Sequence, residues 1–264
     1  MLTGLQITRS TEVTMIRTLS ALLLACLFGS SVAVAQQPLK LMANTSPPYA
    51  DEKLPQRGLA IELVEHAFAG TGVETSVTIE SWSRALEGAR LGVYNGLATA
   101  WYSDERAQDL VFSEPYLSSK LIVLKRHGDP RNYTRLEQLA GKRLGIRTDY
   151  AYPVDLAAIP GLQLVEENHL IQNLLNLING EVDFVIGDLR TVNHQLHEYL
   201  ASSRHKVKVA NISLPSVARH VAVSRSYAGH EKVIANFNAS LQRARKDGSH
   251  QAIVDRWDQR YTAK

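Results

Sequence analysis

The sequence predicts an α/β fold built on parallel sheets. Short apolar strand patterns alternate with helical patterns along most of the chain, and this order is typical of βαβ units. The segment VDFVIG (182–187) is an almost continuous apolar run, as expected of a strand buried on both faces of a sheet. With 264 residues, 45% of them hydrophobic, the chain is long enough for one large or two small cores.

The first half contains three predicted strands, with a helix after each of the first two. LKLMAN (39–44) is a short apolar strand, and apolar residues then recur every three or four positions until Gly70, the period of a helix. TSVTIE (75–80) precedes a second helical stripe that ends at Gly92, and GLATAW (96–101) is the third strand. These elements predict βαβ units with a parallel sheet.

The second half repeats the pattern. Its predicted elements are the strand KRLGI (142–146), a helix after Tyr152, the strand LQLVE (162–166), the helix HLIQNLLNLING (169–180) and the strand VDFVIG (182–187). Two further apolar segments, KLIVLKR (120–126) and RHVAVSR (219–225), are placed to carry the chain between two lobes. A C-terminal helical region follows, marked by Ile234, Phe237, Leu241, Ile253 and Trp257.

Residues 1–35 are predicted to be a secretory signal peptide. Arg17 precedes a short apolar core, and Ala33-Val34-Ala35 forms an A-x-A cleavage site. The apolar core is too short to span a membrane. Met15 makes a better start for this segment than Met1, because the residues before Met15 are polar and unpatterned.

The mature chain is predicted to have no thiol and little net charge. Cys26 lies inside the predicted signal peptide. It could be the cysteine of a lipoprotein site, but soluble secretion is favoured because the apolar stretch continues past it to the cleavage site. Without residues 1–35, 27 basic and 25 acidic residues leave a net charge of +2. This balance, with no basic run interleaved with aromatics, argues against a nucleic-acid binder.

Six short motifs follow one another over nearly the whole mature chain. They are S-P-P-Y (46–49), G-L-A-I-E (58–62), W-S-R-A-L (82–86) continuing to G-V-Y-N-G, S-D-E-R (103–106) followed by F-S-E-P-Y, G-K-R-L-G-I (141–146) and N-G-E-V-D-F-V-I-G-D (179–188). In this order and spacing the sequence resembles the periplasmic solute-binding proteins of the polar-amino-acid ABC transporter class, called family 3.

The resemblance implies the two-lobed periplasmic-binding-protein fold of type II, with two hinge strands and a small ligand between the lobes. Lobe 1 is expected to contain residues 36–122 and 222–264, and lobe 2 residues 123–221. The implied protein is a periplasmic monomer without a cofactor. It captures an amino acid or a related carboxylate and presents it to a membrane ABC permease.

Arg106 and Asp188 are the first two candidate ligand-binding residues. Ser103 is a predicted helix N-cap, so Arg106 falls in the first turn, where a cation faces the positive end of the helix dipole. The resemblance assigns this arginine to the ligand's α-carboxylate; the alternative is a surface arginine paired with Asp109 or Glu105. Asp188 follows a predicted strand and precedes a helix, so it is either a plain N-cap or, by the resemblance, the partner of the ligand's ammonium.

Aromatic and hydroxyl residues complete the predicted site. Tyr49 and Trp82 lie at strand ends, where core packing is the alternative to ligand contact. Many family members carry a hydroxyl residue five positions before the arginine, but this chain has Trp101 there, with Thr99 as the nearest hydroxyl. A Gly-Thr-Thr motif is replaced by Asp149-Tyr150-Ala151, whose backbone could still bind an anion. The candidate ligand-binding residues are Arg106, Asp188, Tyr49, Trp82, Trp101, Thr99, Ser103, Tyr150 and Ala151.

Two other functions use the same pocket. An enzyme related to the dehydratases on this fold would act on a cyclic carboxylic acid, with Glu62, Glu166 or Glu167 as a general acid. A ligand-binding partner of a membrane sensor would differ only in its docking surface.

His194 and His197 have the spacing of a metal pair, but a solvated helix face is the favoured interpretation, so no metal site is predicted.

Overall fold

The computed structural model describes residues 37–262, and eleven strands in this range form two sheets. The predicted signal peptide and Cys26 lie outside the described residues. The strands are β1 (Leu39–Asn44), β2 (Thr75–Glu80), β3 (Gly96–Trp101), β4 (Leu110–Phe112), β5 (Leu117–Ser119), β6 (Leu121–Arg126), β7 (Arg143–Arg147), β8 (Gln163–Glu167), β9 (Phe184–Asp188), β10 (Val207–Val209) and β11 (Val217–Ser224). The first sheet has the order β2-β1-β3-β11-β4, with β5 also paired to β11, and the second has the order β10-β6-β9-β7-β8.

Helices follow most of the strands. They are α1 (Leu59–Ala69), α2 (Trp82–Arg90), α3 (Arg106–Asp109), α4 (Leu170–Asn179), α5 (Leu189–Glu198), α6 (His230–Lys246) and α7 (Ser249–Thr262). None of the helices in residues 37–262 is long and apolar enough to cross a membrane.

Both sheets combine parallel and antiparallel pairs. The predicted parallel pairing is confirmed where β1 pairs with β2 and β3, and where β7 pairs with β8 and β9. Strands β6, β10 and β11 instead pair antiparallel with their neighbours. The carboxyl ends of the parallel strands therefore gather at one edge of each sheet, where ligands of α/β proteins bind.

The chain passes between the sheets twice within the described residues. It leaves the first sheet after β5, passes through Lys120 and enters the second at β6; it returns between β10 and β11. We propose that the two sheets are the cores of the two lobes. The boundaries expected at 122/123 and 221/222 fall inside β6 and β11, so on this proposal the crossings lie at residue 120 and in residues 210–216.

Two local predictions differ from the structure. The helix expected after Tyr152 is wrong, because residues 151–162 form bends and turns. Pro153 and Pro160 oppose a continuous helix there, and the Asp155 side chain accepts hydrogen bonds from the backbone N–H groups of Ala157 and Ala158 in a local turn. Helix α3 begins at Arg106 rather than directly after Ser103.

Separate apolar clusters support the sheets. Phe68, Phe237 and Trp257 pack α1, α6 and α7 against the first sheet. The second sheet is covered on one face by a cluster that includes Tyr133 and Phe184, and on the other by the apolar stripes of α4 and α5. The carboxyl ends of the strands from both sheets meet between these cores.

Candidate ligand-binding cleft

Two adjoining cavities lie where the two sheets meet. The space between atoms is about 220 Å³ in the first and about 290 Å³ in the second, and both volumes include space open to solvent. The first cavity is lined by Asn44, Trp82, Thr99, Trp101, Arg106, Tyr150, Ala151 and Arg219. The second is lined by Ser46, Trp101, Arg147, Tyr150, Tyr152, Leu170, Ile186, Gly187, Asp188, Thr191 and Arg219. Trp101, Tyr150 and Arg219 line both cavities, which are therefore adjoining parts of one cleft between the sheets.

Arg106 links the two sides of the first cavity through hydrogen bonds. Its Nη1 donates a hydrogen bond to the Trp101 carbonyl (2.9 Å), and its Nη2 donates to the Asp149 carbonyl on the loop after β7 (2.6 Å). The guanidinium carbon lies 4.7 Å from the centroid of the Trp82 ring. A guanidinium has five N–H donors, so these two bonds leave others for a ligand. Burial lowers the pKa of Arg106, but an arginine remains charged at neutral pH.

The surface ion pair considered for Arg106 does not form. Glu105 and Asp109 instead form ion pairs with Arg90: its Nη2 lies 2.6 Å from Glu105 Oε1, and its Nε lies 3.4 Å from Asp109 Oδ2. Arg106 itself is only 6% exposed and faces carbonyl oxygens. Its charge is therefore buried at the cleft without a salt-bridged carboxylate from the described residues.

Asp188 is both a helix cap and a cleft residue. It ends β9 and caps α5, where its Oδ1 accepts hydrogen bonds from the Thr191 backbone N–H (3.0 Å) and from the Tyr49 hydroxyl (2.8 Å). The other oxygen, Oδ2, is buried and has no hydrogen-bond partner among residues 37–262. A buried carboxylate oxygen without a donor is costly, so Oδ2 is poised to accept a hydrogen bond from a ligand.

Arg219, which was not predicted from the sequence, lines both cavities and lies beside Tyr49 and Asp188. Its guanidinium carbon lies 3.7 Å from the Tyr49 ring centroid and 5.7 Å from that of Trp101, and its Nε donates to the Ser119 hydroxyl (2.9 Å). Burial acts to lower the pKa of Arg219, but Tyr49 and Asp188 outweigh it and hold that pKa above its usual value. An arginine close before the apolar residues 221–223 of the segment RHVAVSR was the available sequence signal.

Arg147 is a second cleft arginine that was not predicted. It ends β7, a strand-end position where ligand contacts are common. Its Nη1 donates to the Tyr150 hydroxyl (2.5 Å) and its Nη2 to the Asn168 carbonyl (2.8 Å), while its Nε is buried without a partner among the described residues. The guanidinium carbon lies 4.5 Å from the Tyr150 ring centroid, which helps to fix its position.

Aromatic rings line the cleft and contact one another. The centroids of Trp101 and Tyr150 are 4.7 Å apart, and those of Trp82 and Tyr150 are 6.3 Å apart. The Trp82 indole N–H donates to the Asp149 carbonyl (3.0 Å), and Asn44 donates its amide N–H to the Tyr150 hydroxyl (2.8 Å). These contacts join the last residue of β1 and the first residue of α2 to the loop after β7.

A family model of the bacterial extracellular solute-binding proteins, family 3, matches residues 41–260. The chain belongs to this family. Among solved structures, an ancestral arginine-binding protein bound to arginine superposes with a TM-score of 0.71 at 19% identity, covering 84% of this chain and 99% of that one. The likeness confirms the predicted α/β fold of type II periplasmic binding proteins.

Curated relatives of this family 3 protein share low sequence identity with it. One is the putative ABC transporter arginine-binding protein 2 of Escherichia coli K12, 25% identical over 159 residues, with 59% of this chain and 62% of that protein covered. Another is the membrane-bound lytic murein transglycosylase F of Pseudomonas putida GB-1, 26% identical over 236 residues. That match covers 83% of this chain but only 46% of the transglycosylase.

The structure brings most of the predicted site residues of this family 3 protein together. Six of them line the first cavity: Trp82, Thr99, Trp101, Arg106, Tyr150 and Ala151. Asp188 lines the second cavity. Tyr49 lines neither cavity; its fully buried ring supports Arg219, and its hydroxyl supports Asp188. Ser103 lies on the outer side of the cleft and accepts a hydrogen bond from the Arg106 backbone N–H (3.3 Å).

Carboxylates considered as general acids lie away from both cavities. Glu62 accepts a hydrogen bond from the Trp257 indole N–H (2.7 Å), and Glu167 accepts one from the Asn176 amide (3.0 Å). Neither of them, nor Glu166, lines either cavity.

The described part of the chain contains no group of three or more side chains that could hold a metal ion. His194 is buried rather than on a solvated helix face, and burial lowers its pKa.

Proposed function

We propose that the protein binds an α-amino acid in this cleft and delivers it to an ABC importer. One observation carries the proposal: Arg106 beside the first sheet and Asp188 at the end of a second-sheet strand, with opposite charges, line two adjoining cavities of the cleft. An α-amino acid carries the matching pair of charged groups on one carbon atom. Its relative from Escherichia coli is named for arginine binding, which supports the amino-acid class.

On this proposal Arg106 binds the α-carboxylate. The planar guanidinium can present two parallel N–H donors to a carboxylate, and a buried pair of this kind is stronger than a solvated one. The bonds to the Trp101 and Asp149 carbonyls fix the plane of the group, so little side-chain freedom is lost when the ligand binds. The ring of Trp82 covers the opposite side of the cation.

Asp188 accepts a hydrogen bond from the ligand's ammonium through Oδ2. Its other oxygen is held by the Tyr49 hydroxyl and the Thr191 backbone N–H, so the carboxylate is oriented before the ligand arrives. Since Arg106 begins helix α3 beside the first sheet and Asp188 ends β9 of the second sheet, a zwitterion would join the two sides of the cleft. Ligand binding would therefore favour the closed arrangement.

The wider role is proposed on the same basis. Secretion to the periplasm through cleavage near residue 35, a monomeric state and presentation of the ligand to a membrane permease all fit a member of this family. Partnership with a membrane sensor is the alternative that uses the same site. A catalytic role is disfavoured because Glu62, Glu166 and Glu167 line neither cavity.

The test begins with a thermal-shift screen of residues 36–264 against α-amino acids, polyamines, dicarboxylates and cyclic acids. A ligand at about 100 times its dissociation constant adds roughly 2.7 kcal/mol of stability. The best amino acid and its α-carboxamide are then titrated calorimetrically into the wild type, Arg106→Ala and the control Arg84→Ala. Arg84 is a suitable control because its side chain is 75% exposed and it lines neither cavity.

Arg106→Ala should weaken binding of the α-carboxylate form by about 30-fold to several thousand-fold, since one member of a desolvated charge pair is lost. Binding of the carboxamide should change by less than about threefold, because that ligand has no carboxylate to lose. Arg84→Ala should behave as the wild type. The proposal fails if no amino acid binds, if both forms weaken equally, or if a bound cyclic acid is converted to a product detected by NMR.

A further inference from the structure

We propose that the second cavity receives the ligand's side chain and selects an acidic one, with Arg147 as the residue that determines this specificity. The inference rests on the proposed amino-acid function and names its substrate class. The ligand would carry two carboxylates and one ammonium, as aspartate and glutamate do.

The charge of the cleft supports an acidic ligand. Among all residues that line the two cavities, the ionised groups are the guanidiniums of Arg106, Arg147 and Arg219 and the carboxylate of Asp188, a net charge of +2. A neutral amino acid would leave this excess unchanged, and a cationic one would increase it inside a buried site. An acidic amino acid reduces it, which favours binding because uncompensated buried charge is costly.

Unpartnered polar atoms in the second cavity match the same ligand. The Arg147 Nε and the Trp101 Nε1 are buried N–H donors with no hydrogen-bond partner among residues 37–262. Arg147 is 8% exposed and Trp101 5% exposed, and both side chains line this cavity. Two free donors suit a carboxylate, which only accepts, and do not suit an ammonium or a guanidinium, which only donate.

Asp188 explains why the ligand also needs an amine. Its Oδ2 is the unpartnered acceptor of the second cavity, and it cannot bond to a second carboxylate. The second cavity is therefore lined by residues whose free donors require a carboxylate and by one residue whose free acceptor requires an amine. A dicarboxylate without an amine would satisfy the arginines but would leave Oδ2 without a donor.

Arg147 is positioned for selectivity rather than for folding alone. Its two terminal nitrogens donate to the Tyr150 hydroxyl and the Asn168 carbonyl, and its buried Nε has no partner among residues 37–262. Arg219 adds positive charge at the boundary of the two cavities but is held by Ser119 and the Tyr49 ring. Arg147 is the arginine of the second cavity whose buried Nε has no partner among residues 37–262, and we therefore assign the selectivity to it.

The first experiment uses the unaltered mature protein, residues 36–264. L-glutamate, L-aspartate, L-glutamine, L-asparagine, L-arginine and glutarate are titrated calorimetrically under one set of buffer conditions. We expect at least one acidic amino acid to bind about tenfold or more tighter than its own amide and tighter than L-arginine. L-Glutamate should also exceed glutarate, because glutarate lacks the ammonium.

The second experiment compares Arg147→Met with Arg204→Met. Both changes remove one positive charge, but Arg204 is exposed and lines neither cavity. Arg147→Met should weaken binding of the acidic amino acid about tenfold or more and that of its amide by less than about threefold. Arg204→Met should leave both affinities unchanged.

The outcomes separate this inference from the proposed function. If L-glutamine, L-asparagine or L-arginine binds as tightly as the acidic amino acids, amino-acid binding stands and the acidic subsite is wrong. If Arg147→Met weakens both ligands equally, Arg147 does not determine specificity. If none of the amino acids binds, both proposals fall together. Should Arg147→Met fail to fold, the affinity ratios of the unaltered protein decide the question.

Discussion

Replacing Asp188 with Asn removes a charge while keeping a helix cap. The Oδ1 atom accepts hydrogen bonds from the Thr191 backbone N–H (3.0 Å) and the Tyr49 hydroxyl (2.8 Å), and an asparagine carbonyl can accept both. Burial raises the pKa of Tyr49, so its hydroxyl stays protonated and remains a donor in the variant. The substitution therefore isolates the charge of Asp188 from its capping role.

The loss of that charge should appear in two quantities. Affinity for an amine-bearing ligand should fall by about 2–5 kcal/mol, or roughly 30-fold to several thousand-fold, while a des-amino analogue should lose less than about threefold. Stability of the unliganded protein should fall as well, because Arg219 is 2% exposed and loses its neighbouring carboxylate. No ion pair among the described residues joins Asp188 to Arg219, and the Tyr49 ring centroid lies 3.7 Å from the Arg219 guanidinium carbon, so the expected loss is about 0.5–3 kcal/mol, below the cost of breaking a buried ion pair.

Urea unfolding and calorimetric titration measure the two effects separately. A double-mutant cycle with Asp188→Asn and Arg219→Met should give a coupling energy of about 0.5–3 kcal/mol in the unliganded protein. The single variant Arg219→Met is the control, since it removes the buried cation and retains Asp188. Equal weakening of the amine-bearing and des-amino ligands would refute the ammonium role, and zero coupling would refute the electrostatic link to Arg219.

Two further predictions concern closure and pH. Arg190 in α5 donates two hydrogen bonds, of 2.6 and 2.8 Å, to the carboxylate of Asp258 in α7. Arg190→Met should lower the free energy of unfolding by less than about 1 kcal/mol, because the pair is partly exposed. The same variant should increase the radius of gyration measured by small-angle scattering. Burial lowers the pKa of His220, so the folded protein binds its proton less readily than the unfolded chain, and stability present above about pH 6.5 is lost as the pH falls. His220→Gln should reduce the slope of stability against pH below 6.5 by at most about 1.4 kcal/mol per pH unit, measured by urea unfolding at each pH.

Periodicity was sufficient to predict most elements because apolar spacing follows the backbone geometry of each element. It located β1, α1 and β9, and it placed Asp188 at the start of α5. The helix expected after Tyr152 failed because two prolines and the Asp155 turn compete with helical hydrogen bonds. Such local competition is not visible in an apolar pattern alone.

Arg147 and Arg219 show why part of the site could not be predicted. Whether a strand residue faces a core or a cleft depends on which strands lie beside it, and β11 joins the first sheet through pairing with β3, β4 and β5. Arg106 was selected because its charge conflicts with a local rule, the helix dipole. In the structure this arginine donates hydrogen bonds to two carbonyl oxygens. Its removal is therefore expected to lower the free energy of unfolding of the unliganded protein by about 1.5–3 kcal/mol.

A crystal structure of residues 36–264 with the tightest-binding amino acid tests the central proposal most directly. The α-carboxylate should lie in the first cavity within about 3 Å of the Arg106 guanidinium, and the ammonium should donate a hydrogen bond to Asp188 Oδ2. A ligand bound outside the two cavities, or bound with its α-carboxylate away from Arg106, would contradict it.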